Sequence, residues 1–332
     1  MQKLVCKTLL AKILLTLSLL AMPFVALTNV AQADDYPTGP VTVVVPLAPG
    51  GVSDLVGRTI TPPMQKAFGK PMLIENRPGG GGAIGASSVA RSAPDGQTLL
   101  LALSPVLALP EMDRLNGQKP SYELSELVPL ARLTADPFVI LVRPDSPFKT
   151  MKDVVDEARR RPGAVSFSSS GTRGSIHFAV ALVEKAAKVN FLHVPYRGGG
   201  PAVTALLSKD VDFTLAAPSV ALEFVQSDQL RAIARSGGEP LARYVGLTSF
   251  KEQGIDAEYL LWSALYAPAA TPKAVQEKIK STLRAIYADN DFRSNAAKAG
   301  LDLSMLEGDA LKSFHDKEVV TTNEVVHLLG KI

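Results

Sequence analysis

A chain of 332 residues with one cysteine, Cys6, has no means of building an internal disulfide framework or a cysteine-based metal centre. Histidine is almost as scarce. The four present, His177, His193, His315 and His327, fall in no H-E-x-x-H spacing. Neither a G-x-S-x-G nucleophile elbow nor a G-x-x-x-x-G-K-[ST] phosphate loop occurs. No repeat of 20 to 50 residues and no low-complexity linker interrupts the chain, which excludes a solenoid or a string of beads. Charge of one sign is also missing. Once Lys3, Lys7 and Lys12 of the N-terminal segment are taken from the 35 basic residues, 32 remain against 32 acidic ones, so neither a nucleic-acid footprint nor a polybasic membrane patch is visible.

The one long hydrophobic run lies at the start. Three lysines precede "ILLTLSLLAMPFVAL", and the run closes on Ala31-Gln32-Ala33, the pattern of a secretory signal with a small-residue cleavage site. Pro23 and the lack of any charged stop-transfer sequence argue against a transmembrane anchor. Residues 1–33 are therefore expected to be a leader, removed before Asp34, which places the mature chain in the periplasm. Cys6 would leave with it, so stability must come from a large core.

What remains, about 299 residues, alternates strand, turn and helix many times, which predicts an α/β protein of two lobes with parallel-rich sheets. "VTVVVP" (41–46) reads as a buried strand, followed by a helix from "GGVSDLVGRTI" that should kink or restart at Pro62-Pro63. "PMLIEN" and "TLLLALS" (98–104) are strands either side of the helix "AIGASSVARSA". "DPFVILV" (136–142) is extended and leads into a new unit. Its first helix, "TMKDVVDEARRR", carries a capping pair in Thr150 and Asp153. Helices are expected at 175–187, 201–209 and 219–226, with strands between them, and "YLLWSALYAP" (259–268) is a return crossing.

Gly80, Gly82 and Gly85 in "ENRPGGGGAIGA" satisfy G-x-G-x-x-G. A dinucleotide fingerprint needs its glycines directly after the first strand and an acid ending the next one. Here "ENRP" intervenes, and the next strand ends in Ser104-Pro105. Close packing of a helix end under a loop is the better account, and no cofactor is expected. A different pattern recurs instead: a strand ends in a small, glycine-containing turn that runs straight into a helix, in "PLAPGGVSD" (46–54), "SSSGTRGS" (168–175) and "VPYRGGGP" (194–201). Such turns concentrate backbone N–H groups at the positive end of a helix dipole and suit a carboxylate or phosphate.

These turns, together with "YPTGPVTVVVPLAPGGVSD", "IENRPGGGGAIGA", "APDGQTLLLA", "HVPYRGGGPAVTALL" and "APAATPKAVQEKI" in this order, resemble the Bug or TctC family, the extracytoplasmic solute-binding receptors of tripartite tricarboxylate transporters. The resemblance covers nearly the whole mature chain. It implies a type II periplasmic binding fold, a Venus flytrap with 34–138 plus 262–332 as lobe one, 139–261 as lobe two and an interlobe cleft. It also implies capture of a small carboxylate without chemistry and delivery to membrane transporter subunits by a monomer.

Carried over by position, Ala48, Pro49, Gly50, Gly51, Ser53 and Asp54 match the family's first carboxylate loop, with Ser53 or Asp54 also capping the helix behind it. Ser169, Ser170, Gly171, Thr172 and Ser175 match the facing loop. Ser104, Tyr196 and Arg197 complete the expected site. Arg197 either pairs with a second ligand anion or is solvated or interlobe. His177 is expected to pack, as is Trp262. The facing loop departs from the family pattern, because Gly171 and Gly174 enclose two residues, and Arg173 between them either supplies an unusual cation or points outward. Gly246 stands where the family places an acid, so no contact is assigned to 243–254. Two rival readings remain, a secreted α/β hydrolase using "SSSGTRGS" as a nucleophile loop and a ligand-presenting sensor with the same fold. The hydrolase needs a base paired with Ser169 or Ser175, and no sequence spacing suggests one.

Overall fold

The structure is a computed structural model in which residues 36–330 are described, apart from Arg173 and Arg197. The expected leader at 1–33 lies outside the described residues.

Two sheets organise the fold. In the first, β1 (Val41–Val45) lies between β2 (Met72–Asn76) and β3 (Thr98–Leu103), and all three run parallel. Three more strands extend it, β4 (Leu127–Pro137), β10 (Leu260–Pro268) and β11 (Leu303–Leu306), in the order β11-β4-β10-β3-β1-β2. The second sheet holds β5 (Val139–Val142), β6 (Ser166–Ser169), β7 (Leu192–Pro195), β8 (Phe213–Ala216) and β9 (Arg231–Arg235), in the order β7-β6-β8-β5-β9. Each sheet thus has a parallel three-stranded block, as the strand–helix alternation predicts. Each also has antiparallel additions, because β10 pairs in reverse with β3 and β4, β11 with β4, and β5 with β8 and β9. The reversal comes from chain crossing. Only Phe138 separates β4 from β5.

The strands are runs of apolar residues because helices cover both faces. On one side of the first sheet Val41, Val43, Val45, Leu99 and Leu101 pack with Ile60, Ile279 and Leu283; on the other, Val44, Leu100 and Ala102 meet Trp262 and Tyr266. In the second, Ile140, Val142, Phe167 and Phe213 pack with Val154 and Val180. Trp262 is buried, its indole N–H donating to Glu318 Oε2 at 2.7 Å, so it packs as expected.

Helix α1 (Val52–Phe68) continues through Pro62 and Pro63 without the restart that was one of the two outcomes expected there. The two missing N–H donors would have served the carbonyls of Arg58 and Thr59, residues on the less buried side, where water can take the place of the donor. Ile60, Thr61 and Met64 meanwhile hold the opposite face in the core. After α2 (Ala83–Ala90), the chain makes a 3-10 turn at Ser104–Leu107 and a short helix, α3 (Leu109–Leu115), that the sequence pattern did not announce. Helix α4 (Met151–Arg160) starts with the expected capping box: Asp153 N–H donates to Thr150 Oγ1 at 3.1 Å and Thr150 N–H to Asp153 Oδ2 at 2.9 Å. Its apolar residues Met151, Val154, Val155 and Ala158 recur at helical spacing and are buried. The remaining helices are α5 (Ser175–Ala187), α6 (Gly199–Leu207), α7 (Pro218–Gln226), α8 (Lys273–Ala288), α9 (Asn290–Lys298) and α10 (Gly308–Leu329).

Candidate functional site

A cavity of about 640 Å³ is lined by residues of both sheets' connecting turns. Five helix starts contribute their N-cap residues to its wall: Gly51 of α1, Gly82 of α2, Gly174 of α5, Gly198 of α6 and Ala217 of α7. None of these caps makes a side-chain hydrogen bond to its helix. The amides of a helix's first turn have no partner within the helix, so an uncapped start turned into a cavity offers donors and a positive dipole end to whatever enters. Helices α4 and α9, which begin elsewhere, are capped by Thr150 and Asp289.

The three expected turns meet here. Ala48, Pro49, Gly50 and Gly51 line the cavity from one side, and Ser170, Gly171, Thr172 and Ser175 from the other. The third turn enters through Gly198, Gly199 and Gly200. Gly171 and Gly198 adopt φ of 137° and 121°, conformations open to glycine, and let the chain turn from strand into helix. The turn of β7 lies beside that of β6, since Tyr196 N–H donates to Ser169 O at 2.9 Å.

Other expected site residues are placed behind the wall. Ser53 is fully buried, and its hydroxyl has no partner among the described residues. Asp54 does not cap α1, whose N-cap is Gly51. Its carboxylate instead accepts from Gly50 N–H at 3.1 Å, Arg58 Nε at 2.8 Å and Asn76 Nδ2 at 3.2 Å, bracing the turn from the rear. The Arg58 guanidinium above all, with the Gly50 and Asn76 donors, holds the Asp54 carboxyl below the usual carboxylate range. Ser104 is buried and bonded to the Tyr259 hydroxyl at 2.8 Å. Tyr196 packs against the outer core of the second sheet. Arg197, like Arg173, lies outside the described residues.

Ser169 is fully buried and has the base that no spacing announced: its Oγ lies 2.6 Å from His193 Nε2. The parallel register of β6 and β7, with Phe167 opposite His193, brings them together. Ser169 Oγ also reaches Gly171 O at 3.0 Å and accepts from Gly171 N–H at 3.3 Å, so the hydroxyl is tied into its own turn. The His193 imidazole is itself half-buried. Its other surroundings are rings, His177 at 3.9 Å and Phe167 at 4.8 Å, and burial alone pushes its pKa down. His177 therefore packs, as expected.

Much of the wall was not legible in the sequence. Leu103, Val106, Leu109, Met112, Leu215 and Val220 are interchangeable with core residues in pattern, and Phe138 and Leu261 come from the crossings between sheets. Gly81 and Gly82 line it too, so the glycine run serves the cavity as well as packing. Among the described lining residues none is charged and only Ser170, Thr172 and Ser175 carry a polar side chain. No group of three metal-binding side chains occurs among the described residues.

Residues 56–330 match the family model described as tripartite tricarboxylate transporter family receptor. A protein encoded in the tcbD-tcbE intergenic region of Pseudomonas sp. strain P51 is 31% identical over 284 residues, 82% of this chain and 81% of its own. BugT of Bordetella pertussis is 30% identical over 258 residues, covering 76% of this chain and 78% of BugT. Among solved structures, the periplasmic binding protein BugD is 28% identical with a TM-score of 0.76 over 90% of this chain and all (100%) of BugD. MatC from Rhodopseudomonas palustris, with bound malate, is 26% identical with a TM-score of 0.74, covering 88% and 100%. An adipate-bound protein from R. palustris, 22% identical, shares the fold with a TM-score of 0.79 over 90% and 100%.

Proposed function

The chain belongs to the tripartite tricarboxylate transporter receptor family, and from that premise we propose that it captures a small carboxylate in the cavity and delivers it to transporter subunits in the membrane. The observation that carries this reading is the convergence of the uncapped starts of α1, α5 and α6 on one cavity. Backbone amides and the hydroxyls of Ser170, Thr172 and Ser175 bind the anion; a hydrogen bond to a charged group is worth about 1.5–3 kcal/mol. MatC, a neighbour of the same fold, holds a small carboxylate, malate.

We take 34–138 with 262–332 as one lobe and 139–261 as the other. The division of strands between the sheets supports those boundaries, with crossings at Phe138 and before β10. The ligand, touching turns from both lobes, favours their closure. The leader at 1–33 directs export to the periplasm, the compartment named for BugD, and the chain works there as a monomer.

Thermal-shift screening against mono-, di- and tricarboxylates tests the reading, since a ligand bound only by the folded state raises the melting temperature. At least one carboxylate should raise it in a saturable way. If none does, while a phosphate ester or an uncharged solute does, the reading fails. The Ser169–His193 pair is the one observation that favours a hydrolase. The full burial of Ser169 behind the cavity wall argues against that, so nitrophenyl esters should show no turnover that His193→Ala abolishes.

A further inference from the structure

We infer that the ligand is a monocarboxylate with an extended apolar body: among the described residues of the wall no side chain is charged, and the hydroxyls gather on one turn. This rests on the carboxylate-binding reading above and specifies its chemistry. The helix starts around the cavity are unequal. Helices α1, α5 and α6 begin with glycine at the N-cap and present the amides of Val52 and Ser53, of Ser175 and Ile176, and of Gly199 and Gly200.

The other starts offer fewer donors. Gly82 N–H and Ile84 N–H at the head of α2 both donate to Gly79 O, at 3.0 and 3.4 Å. The remaining three carry proline in their first two positions, Pro105 in the 3-10 turn, Pro110 in α3 and Pro218 in α7, and each proline removes an N–H from the set available to an anion. The side chains these segments bring are apolar, Val106 from the 3-10 turn, Leu109 and Met112 from α3 and Val220 from α7, and Leu215 at the end of β8 adds to them. All three hydroxyls sit on the single turn 170–175. A second carboxylate would leave water for apolar side chains and depleted helix starts, at a cost that favours a methyl or ring in its place. A volume of about 640 Å³ leaves space well beyond one carboxylate for that body.

Matched pairs differing only in methyl against carboxylate test this by calorimetry on the purified chain: octanoate with octanedioate, and p-toluate with terephthalate, with octanol as the uncharged control. In at least one pair the monoacid should bind about tenfold or more tightly than the diacid, with octanol weaker than octanoate. Met112→Lys, at a half-buried position where a lysine stem can lie along apolar surface, should narrow that ratio by strengthening the diacid. Val220→Lys, at a position 39% exposed, should do the same and stands in if the first variant fails to fold. A diacid that binds as well as its monoacid in both pairs overturns the inference and leaves carboxylate binding intact. Octanol matching octanoate, or no binding by any acid of a panel that includes malate and citrate, overturns the carboxylate reading with it. An unchanged ratio in folded lysine variants overturns the assignment of the apolar wall to the ligand's body.

Discussion

Gly85 sits where a Cβ would lie 2.7 Å from Pro46 Cβ, 2.8 Å from Pro46 Cα and 2.9 Å from Arg77 O. The G-x-G-x-x-G spacing is thus a packing device, with Gly85 as its tightest point. Gly85→Val should lower stability by about 1–3 kcal/mol or more by forcing α2 off the turn beneath it, read as a lower denaturation midpoint. Calorimetry should show no saturable NAD binding. Ser170→Ala should leave the far-UV circular dichroism unchanged and weaken ligand binding by about 10- to 150-fold, the worth of one hydroxyl on an anion; normal affinity would mean that the 170–175 turn does not hold the carboxylate. A third residue sets a pH dependence. Asp136 is buried, its Oδ1 has no partner among the described residues, and burial, with Asp302 nearby, pushes its pKa up to about 7. Its folded value exceeds its unfolded one, so the protonated acid is accommodated at low pH and stability is lost as pH rises through about 7. Asp136→Asn should flatten the fall in melting temperature between pH 5 and pH 8, with each kcal/mol regained worth about 2–4 °C.

Among the elements, α1 exposes a trade between stability and binding. Its N-cap Gly51 has φ −86° and ψ 175°, extended backbone that any residue adopts, and an added Cβ would meet nothing closer than Ala48 O at 3.8 Å. Nothing steric demands glycine there. Gly51→Asp should supply the missing cap and raise the stability of the ligand-free protein by a few tenths of a kcal/mol. Its carboxylate would occupy the amides proposed for the ligand, so the ligand-induced melting shift should disappear. Thr150→Ala is the opposite case. It removes the cap of α4, away from the cavity, and should cost about 0.5–2 kcal/mol with affinity unchanged. A Gly51→Asp protein that still binds would show that the α1 terminus takes no part.

For the whole molecule, the proposed grip of the ligand on two lobes and the absence of charged side chains from the described cavity wall set the expected behaviour in solution. Binding should shrink the radius of gyration in small-angle scattering. Affinity should change by less than about tenfold between 50 and 300 mM salt, because buried dipoles are screened less than exposed charges. A fall of several orders of magnitude would point to a surface cationic patch instead.

Strand–helix alternation, the Thr150–Asp153 cap, the return crossing at Leu260–Pro268 and the three glycine turns were all readable from the sequence, because each rests on periodicity or on turn chemistry within a few neighbouring residues. Local signals could not say which of the residues in those turns face inward. Ser53, Asp54, Ser104 and Ser169 look like site residues by type, yet each lies behind the wall, because the side-chain direction at a turn depends on what packs beneath it. The Ser169–His193 contact depends on the register of two strands, and the apolar wall depends on which surfaces the crossing at Phe138 brings opposite one another. A leucine facing a cavity and a leucine facing the core obey the same sequence rule; only the packing of distant segments separates them.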